Sequence, residues 1–386
     1  VIPYGRQSID DADIDAVVAV LRSDFLTQGP VVPAFEQAVS ERVGAAHAVA
    51  CSNATAALHL ACAALDLGPG DLLWTSPITF VASANCGRYC GADVDFVDID
   101  PQTWTMCPRA LERKLDEAAA RGRLPKVIVP VHLCGQPADM AAIAALARRH
   151  GVRVIEDASH AIGASHRGLP VGACTHADVV VFSFHPVKII TTGEGGMALT
   201  DDAALARRMA MLRSHGIVRD PAEMIDPPEG PWVYEQQALG WNYRMTDLQA
   251  ALGTSQLHRL DGFIARRRAL AARYDERLAD LPIQRPRVRP GDASSWHLYV
   301  VGIDPARCGT DRRAAYDAMR AAGFGVQVHY APVHLHAYWR ALGFAPGDFP
   351  QAERYAAGAL TMPLHPSLTD AQVDAAADAL RRAITR

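Results

Sequence analysis

Phe182-Ser183-Phe184-His185-Pro186-Val187-Lys188 follows the apolar run Val179-Val180-Val181 and precedes the glycine-bearing turn Thr191-Thr192-Gly193-Glu194-Gly195-Gly196. A short β-branched run without polar alternation is the pattern of a strand covered on both faces, as in the parallel sheets of α/β proteins. Lys188 therefore stands where such a strand ends, and open α/β sheets bind their ligands at that edge. A lysine there, with Ser183 upstream and small residues downstream, suits an amine that forms a Schiff base with an aldehyde cofactor, pyridoxal phosphate. A solvated surface lysine has the same local sequence, so the reading needs partners elsewhere in the chain.

Two other stretches supply them. In Val152-Arg153-Val154-Ile155-Glu156-Asp157-Ala158-Ser159-His160-Ala161, Asp157 ends a second β-branched run. A carboxylate at that edge keeps a pyridine nitrogen protonated and makes the ring an electron sink; an aspartate there also serves as a helix N-cap. Val49-Ala50-Cys51-Ser52-Asn53-Ala54-Thr55 passes from an apolar strand into an alanine-rich helix predicted to reach Leu67. The start of a helix offers free N–H groups and the positive end of its dipole to a phosphate. Ser52, Asn53 and Thr55 also suit plain capping.

Strand-like runs recur at Ala48–Cys51, Leu72–Thr75, Val94–Val97, Val127–Val131, Val152–Glu156, Val179–Phe184 and Met197–Thr200, with helical stretches at Ala54–Leu67, Phe80–Gly91 and Met140–His150. That alternation predicts an α/β fold, a mostly parallel seven-stranded sheet between helices. The four prolines between Asp220 and Trp232 predict a surface loop near the site. A long helix is predicted from Gln256 or His258 to about Ala279, with Arg266-Arg267-Arg268 as a solvated face. The stretch Trp296–Arg386 reads as strand, helix, strand and a terminal helix from about Thr369, with His329 and Tyr330 at the end of the second of these strands, in Val326-Gln327-Val328-His329-Tyr330. Two domains follow, a large α/β domain over 1–255 and a smaller α+β domain over 256–386.

A chain of 386 residues has ample material for two cores. A net charge of -4 without a basic run gives no footprint for nucleic acid or a membrane surface. No apolar stretch approaches the ~18 residues of a membrane span, and the chain is polar by Tyr4, so a cytoplasmic protein is expected. The eight cysteines form no CxxC pair and sit mostly in apolar context. Cys86 and Cys90 have no neighbouring ligand to complete a metal set, and the spacing of His329, His334 and His336 matches no zinc motif, so no metal is expected.

The chain order of these features, with an aromatic after a strand at Phe80, is that of fold-type I pyridoxal-phosphate enzymes. The strings SNATAAL, PITFVASAN, EDASHAIG, FSFHPVKIITTGEGG, LRSHG, LGWNYRMTDLQAALG and VHYAPVHLHAYW resemble the sugar aminotransferases of the DegT/DnrJ/EryC1/StrS family over nearly the whole chain. The resemblance implies that Lys188 is nucleophile, base and acid in turn, and that Asp157 pairs with the pyridine nitrogen. It also implies that His160 lies near the ring, Phe80 stacks on it, and Asn53, Ala54, Thr55 and Ser183 hold the phosphate. For Phe80 the residue alone equally suits a core aromatic.

Asn242 matches an asparagine that in the family reaches the phosphate from the neighbouring subunit, which implies a homodimer with shared active sites. Thr27, Gln28, His185, Arg244, His329 and Tyr330 match positions lining the sugar-nucleotide pocket. Several strings look most like the pseudaminic acid branch, whose transaminases aminate C4 of a UDP-linked 4-keto-6-deoxy-2-acetamido sugar. L-glutamate is then the donor in a ping-pong reaction. UDP-D-sugars and dTDP-keto sugars are the alternatives within the family. Lys188 stands against the deoxygenating branch, which carries histidine there. A cysteine desulfurase needs a mobile catalytic cysteine, and none stands out. A non-catalytic regulator predicts a broken lysine or aspartate, and both are intact.

Overall fold

The computed structural model describes residues 1–385, so Arg386, the last residue of the expected second domain, lies outside the described residues. Seven short, mostly buried strands organise the first part of the chain: β1 (His47–Cys51), β2 (Leu72–Thr75), β3 (Asp93–Phe96), β4 (Val127–Val129), β5 (Arg153–Asp157), β6 (Val179–Ser183) and β7 (Gly196–Thr200). They pair in the order β1-β7-β6-β5-β4-β2-β3. β7 is antiparallel to β1 and β6, and the other neighbours are parallel. Every strand but β7 therefore ends at one edge, and β7 begins there.

The unbroken apolar run of β6 has a direct cause. Val179 and Val181 enter a core shared with the helix Ala54–Ala64, while Val180 and Phe182 enter another with Phe35 and Phe184. Both faces are covered, so neither alternate set is polar. Burying Phe182 completely contributes roughly 2–3 kcal/mol. The helix Ala54–Ala64 packs on β6 and β7 and against the helices Ala82–Tyr89 and Ala203–Arg213. Its alanines let it approach closely: a Cβ added to Gly196 of β7 would stand 2.4 Å from the Ala54 nitrogen.

The C-terminal part is built on β8 (Tyr299–Gly302) antiparallel to β9 (Ala359–Met362). The helices Leu260–Arg277, Arg312–Ala321 and Asp370–Ile384 close a separate core with them, around Tyr274, Tyr299, Met319 and Leu380. Helix Leu260–Arg277 serves two cores, with Leu260 and Ile264 in the Phe182 core and Leu270 and Tyr274 in the C-terminal one. The N-terminus joins the C-terminal part through an Ile2–Phe324 bridge and the Leu364 N–H to Tyr4 carbonyl bond of 2.9 Å.

Three expectations are corrected. The long helix is present as Leu260–Arg277, starting after Gln256 and His258, which belong to a separate helix, Asp247–His258, that precedes it. That preceding helix starts at a capping box made by Thr246 and Gln249, while glycine and polar residues dilute its apolar face. Residues 324–330 carry only the isolated bridges of Phe324 and Gln327 rather than a strand, and the second strand of the pair is β9.

Arg267 is not part of a solvated face but 1% exposed. Consecutive helical residues point about 100° apart, so three arginines in a row cannot share one face. Its guanidinium donates to the carbonyls of Trp296, His297 and Leu364 at 3.2, 3.2 and 3.1 Å, and burial lowers its pKa to about 10. Replacing it with alanine leaves three buried carbonyls short of a donor. Arg267→Ala is expected to destabilise the protein by about 3 kcal/mol, read as a lower urea midpoint.

Candidate active site

The carboxyl edge of the sheet opens into a cavity of about 480 Å³. Asp157, Ser183 and Lys188 line it from β5, β6 and the loop after β6, and Asn53, Ala54 and Thr55 line it from the start of the helix after β1. Phe80, His160, His185, His329 and Tyr330 complete the set of expected residues found there. Phe80 is 58% exposed, so it is no core aromatic. It is a ring presented to the cavity.

Lys188 opens onto the cavity and is otherwise walled in by protein. Desolvation lowers its pKa to about 8, against the opposing pull of Asp157. An amine near 8 is neutral, and so nucleophilic, in a useful fraction of molecules at neutral pH. Asn53 caps its helix by accepting the Ala56 N–H at 2.8 Å, and its carbonyl accepts the Ala57 N–H. The amides of Ala54 and Thr55, which line the cavity, precede the first N–H that donates within the helix and remain available to an anion. Gly196 permits this approach of the helix start to the sheet. These groups fit pyridoxal phosphate: a desolvated amine, a buried carboxylate and an anion-receptive helix start around one space.

His160 is fixed at both nitrogens. Nδ1 accepts the Cys134 N–H at 3.2 Å, so in the neutral ring Nε2 carries the proton and donates to the Tyr330 hydroxyl, also at 3.2 Å. Burial, and next the Lys188 charge, push its pKa well below the ordinary histidine value. Burial likewise lowers His329 to about 4, and its Nδ1 meets Thr361 Oγ1 at 2.8 Å. His160 and His329 are thus neutral hydrogen-bonding groups rather than charges.

Four expected site residues lie elsewhere. Asn242 is exposed, held by an isolated bridge to Ser214, and Thr27 is bridged to Thr246. Gln28 and Arg244 line a second cavity of about 560 Å³ together with Arg207, Arg219 and His215. Part of the proline-rich stretch borders it through Glu223, and that stretch does not line the Lys188 cavity.

Cavity residues that local sequence does not reveal are Tyr4, Thr79, Ser159 and His297. Thr79 lies inside the string PITFVASAN and Tyr4 in Pro3-Tyr4-Gly5, but nothing local says that they face a ligand. Cys62 packs against Cys86 and Cys90 in the fold. Among the described residues no group of three His, Cys, Asp or Glu is arranged to hold a metal. Among the described residues no helix is long and apolar enough to cross a membrane.

This cavity at the edge of this sheet defines a pyridoxal-phosphate-dependent aminotransferase of fold type I. The chain belongs to the DegT/DnrJ/EryC1/StrS aminotransferase family, whose pattern matches residues 7–381. It is 39% identical over 383 residues to the spore coat polysaccharide biosynthesis protein SpsC of Bacillus subtilis (strain 168), covering 98% of this chain and 96% of that one. Among solved structures it is similar to Helicobacter pylori PseC, an aminotransferase of pseudaminic acid biosynthesis, at 29% identity and TM-score 0.89, covering 99% of each chain. The PLP form of a putative sugar aminotransferase, Spr1654 from Streptococcus pneumoniae, matches at 29% identity and TM-score 0.90, covering 99% of this chain and 97% of that one. The protein is a sugar aminotransferase of this family.

The lowered lysine pKa has a consequence for the cofactor-free protein. Between pH 8 and 10.5 the unfolded chain holds a proton at Lys188 that the folded chain has lost, so this group's contribution to stability rises with pH across that window. Lys188→Met is therefore expected to stabilise the cofactor-free protein at pH 7 by about 2 kcal/mol, with the gain fading toward pH 10. Urea titrations at the two pH values check it.

Proposed function

We propose that the protein moves the amino group of L-glutamate to the C4 ketone of a UDP-linked 4-keto-6-deoxy sugar, UDP-2-acetamido-2,6-dideoxy-β-L-arabino-hex-4-ulose. The likeness to PseC over the full length supports the sugar class. Bound pyridoxal phosphate supplies an electron sink for charge developing on the reacting carbon. In this reading Lys188 Nζ attaches the cofactor and, once released, carries a proton between it and the substrate carbon. Asp157 faces the ring nitrogen, Phe80 and His160 hold the ring, and Asn53, Ala54, Thr55 and Ser183 take the phosphate.

The observation that carries the assembly is where the cations are. A nucleotide sugar brings a diphosphate and glutamate brings two carboxylates, yet among the described residues no arginine lines the Lys188 cavity. Arg207, Arg219 and Arg244 line the second cavity, near exposed Asn242. We infer that this surface completes the Lys188 site of a second copy, with Asn242 on the phosphate and Gln28, Thr27 and Arg244 on the sugar nucleotide, while His185, His329 and Tyr330 act within their own chain. The division into domains at residues 255 and 256 belongs to the same reading.

With L-glutamate, 2-oxoglutarate release is expected to continue past one equivalent only when a 4-keto sugar nucleotide is present, fastest with the UDP-linked L-arabino substrate. Equal turnover of dTDP-linked sugars would overturn the nucleotide assignment. Lys188→Ala is expected to lose turnover completely.

Sharing of sites has its own test. Lys188→Ala and Asn242→Ala proteins, mixed and allowed to exchange subunits, are expected to regain about a quarter of wild-type activity, since half the dimers are mixed and one site in each is intact. Recovery of nothing, with subunit exchange shown by mass, would mean that Asn242 serves its own chain.

A further inference from the structure

Asp157 is held by a hydroxyl relay that its role alone does not require. Its Oδ2 accepts the hydroxyl of Ser83 at 2.5 Å, and its Oδ1 accepts the Ser159 N–H at 3.1 Å. Ser83 Oγ in turn lies 2.7 Å from Thr79 Oγ1. Ser83 and Thr79 are 0% and 2% exposed and Asp157 is 5% exposed, so water does not stand in for any of these bonds.

The direction of the relay follows from proton count. An ionised carboxylate only accepts, so the single Ser83 proton points to Asp157, in preference to the Phe80 carbonyl at 3.4 Å. The oxygen of Ser83 is then free to accept, and Thr79 donates to it. Thr79, Phe80 and Ser83 share the first turn of the helix Ala82–Tyr89 and its lead-in, with the Ser83 N–H on the Phe80 carbonyl at 3.3 Å. One short segment therefore holds both the carboxylate beneath the cofactor space and the exposed ring that faces it.

We propose that Thr79 and Ser83 are positioning residues for transamination: their relay aims Asp157 at the ring nitrogen of the bound cofactor and sets Phe80 in register with it. The proposal rests on Asp157 as the partner of the ring nitrogen. Ser159 fixes one oxygen through a backbone N–H that substitution cannot remove, so the hydroxyl of Ser83 is the adjustable contact. A carboxylate freed on that side turns away from the ring nitrogen. The Ser83 hydrogen bond is charge-assisted, and removing it corresponds to roughly tenfold or more in affinity.

The test compares Ser83→Ala, the nearly isosteric Thr79→Val and Asp157→Asn, each loaded with pyridoxal 5′-phosphate. Three quantities are read: the dissociation constant for the cofactor, the pH midpoint of its visible absorption, and the melting temperature without cofactor. Ser83→Ala is expected to weaken cofactor binding roughly tenfold and to move the absorption midpoint in the same direction as Asp157→Asn. Thr79→Val does the same more weakly, and both keep a wild-type melting temperature within a few degrees. In an Asp157→Asn background, Ser83→Ala adds little, because its target is gone.

If Asp157→Asn shifts the midpoint and Ser83→Ala does not, the relay is overturned and the Asp157 assignment stands. If Asp157→Asn leaves binding and midpoint unchanged, the assignment fails and the relay with it. Additive effects of the two substitutions would also overturn the relay.

Discussion

The parallel pairing of β5 with β6 sets Glu156 opposite Val180 and Asp157 opposite Val181, and the chemistry of the site hangs on that register. Asp157 ends one strand and Lys188 follows the other by a short loop, so their common edge is set by backbone hydrogen bonds rather than by any attraction between them. A slip of one residue would turn Asp157 to the opposite face of the sheet. Apolar burial on both faces enforces the register: moving Val180 and Phe182 by one place would exchange the two cores that they and Val181 fill.

Close approach is the second constraint. The helix Ala54–Ala64 presents its free amides to the cavity only because β7 begins with Gly196 and the helix face is mostly alanine. The C-terminal part adds His329 and Tyr330, tied to the large sheet by the His160–Tyr330 bond and to the N-terminal segment by Tyr4. Arg267 joins the same region from within, by gathering the carbonyls of Trp296, His297 and Leu364. The cavity is thus framed by segments far apart in the chain, held by buried polar contacts that tolerate little displacement.

The cavity is strong in neutral donors and acceptors and poor in positive charge. Burial keeps His160, His297 and His329 uncharged, and among the described residues Lys188 is the one lysine or arginine lining the cavity. A second cation beside it would depress its pKa further. Arg219 and Arg244 stand on the other cavity.

The strands, the alanine helix, Lys188, Asp157 and the helix start at Asn53 were legible in the sequence, because each depends on a local pattern: an apolar run covered on two faces, a glycine turn, a capping residue. Element ends shifted by a few residues, as with the helix expected to reach Leu67 that stops at Ala64. Arg266-Arg267-Arg268 misled because composition suggests a solvated face, while helical geometry sends the middle residue inward. Tyr4, Thr79, Ser83 and His297 carry no local signal of a site, and Asn242, Thr27, Gln28 and Arg244 fall outside the cavity of their own chain. The sequence by itself determined which backbone segments become strands and helices and which residue types stand at their ends, since those choices follow from periodicity and capping. Only the tertiary structure decided which ends meet, which hydroxyls reach the buried carboxylate and which cations are left on another face. Those outcomes depend on register, crossovers and desolvation, which join residues that no local pattern connects.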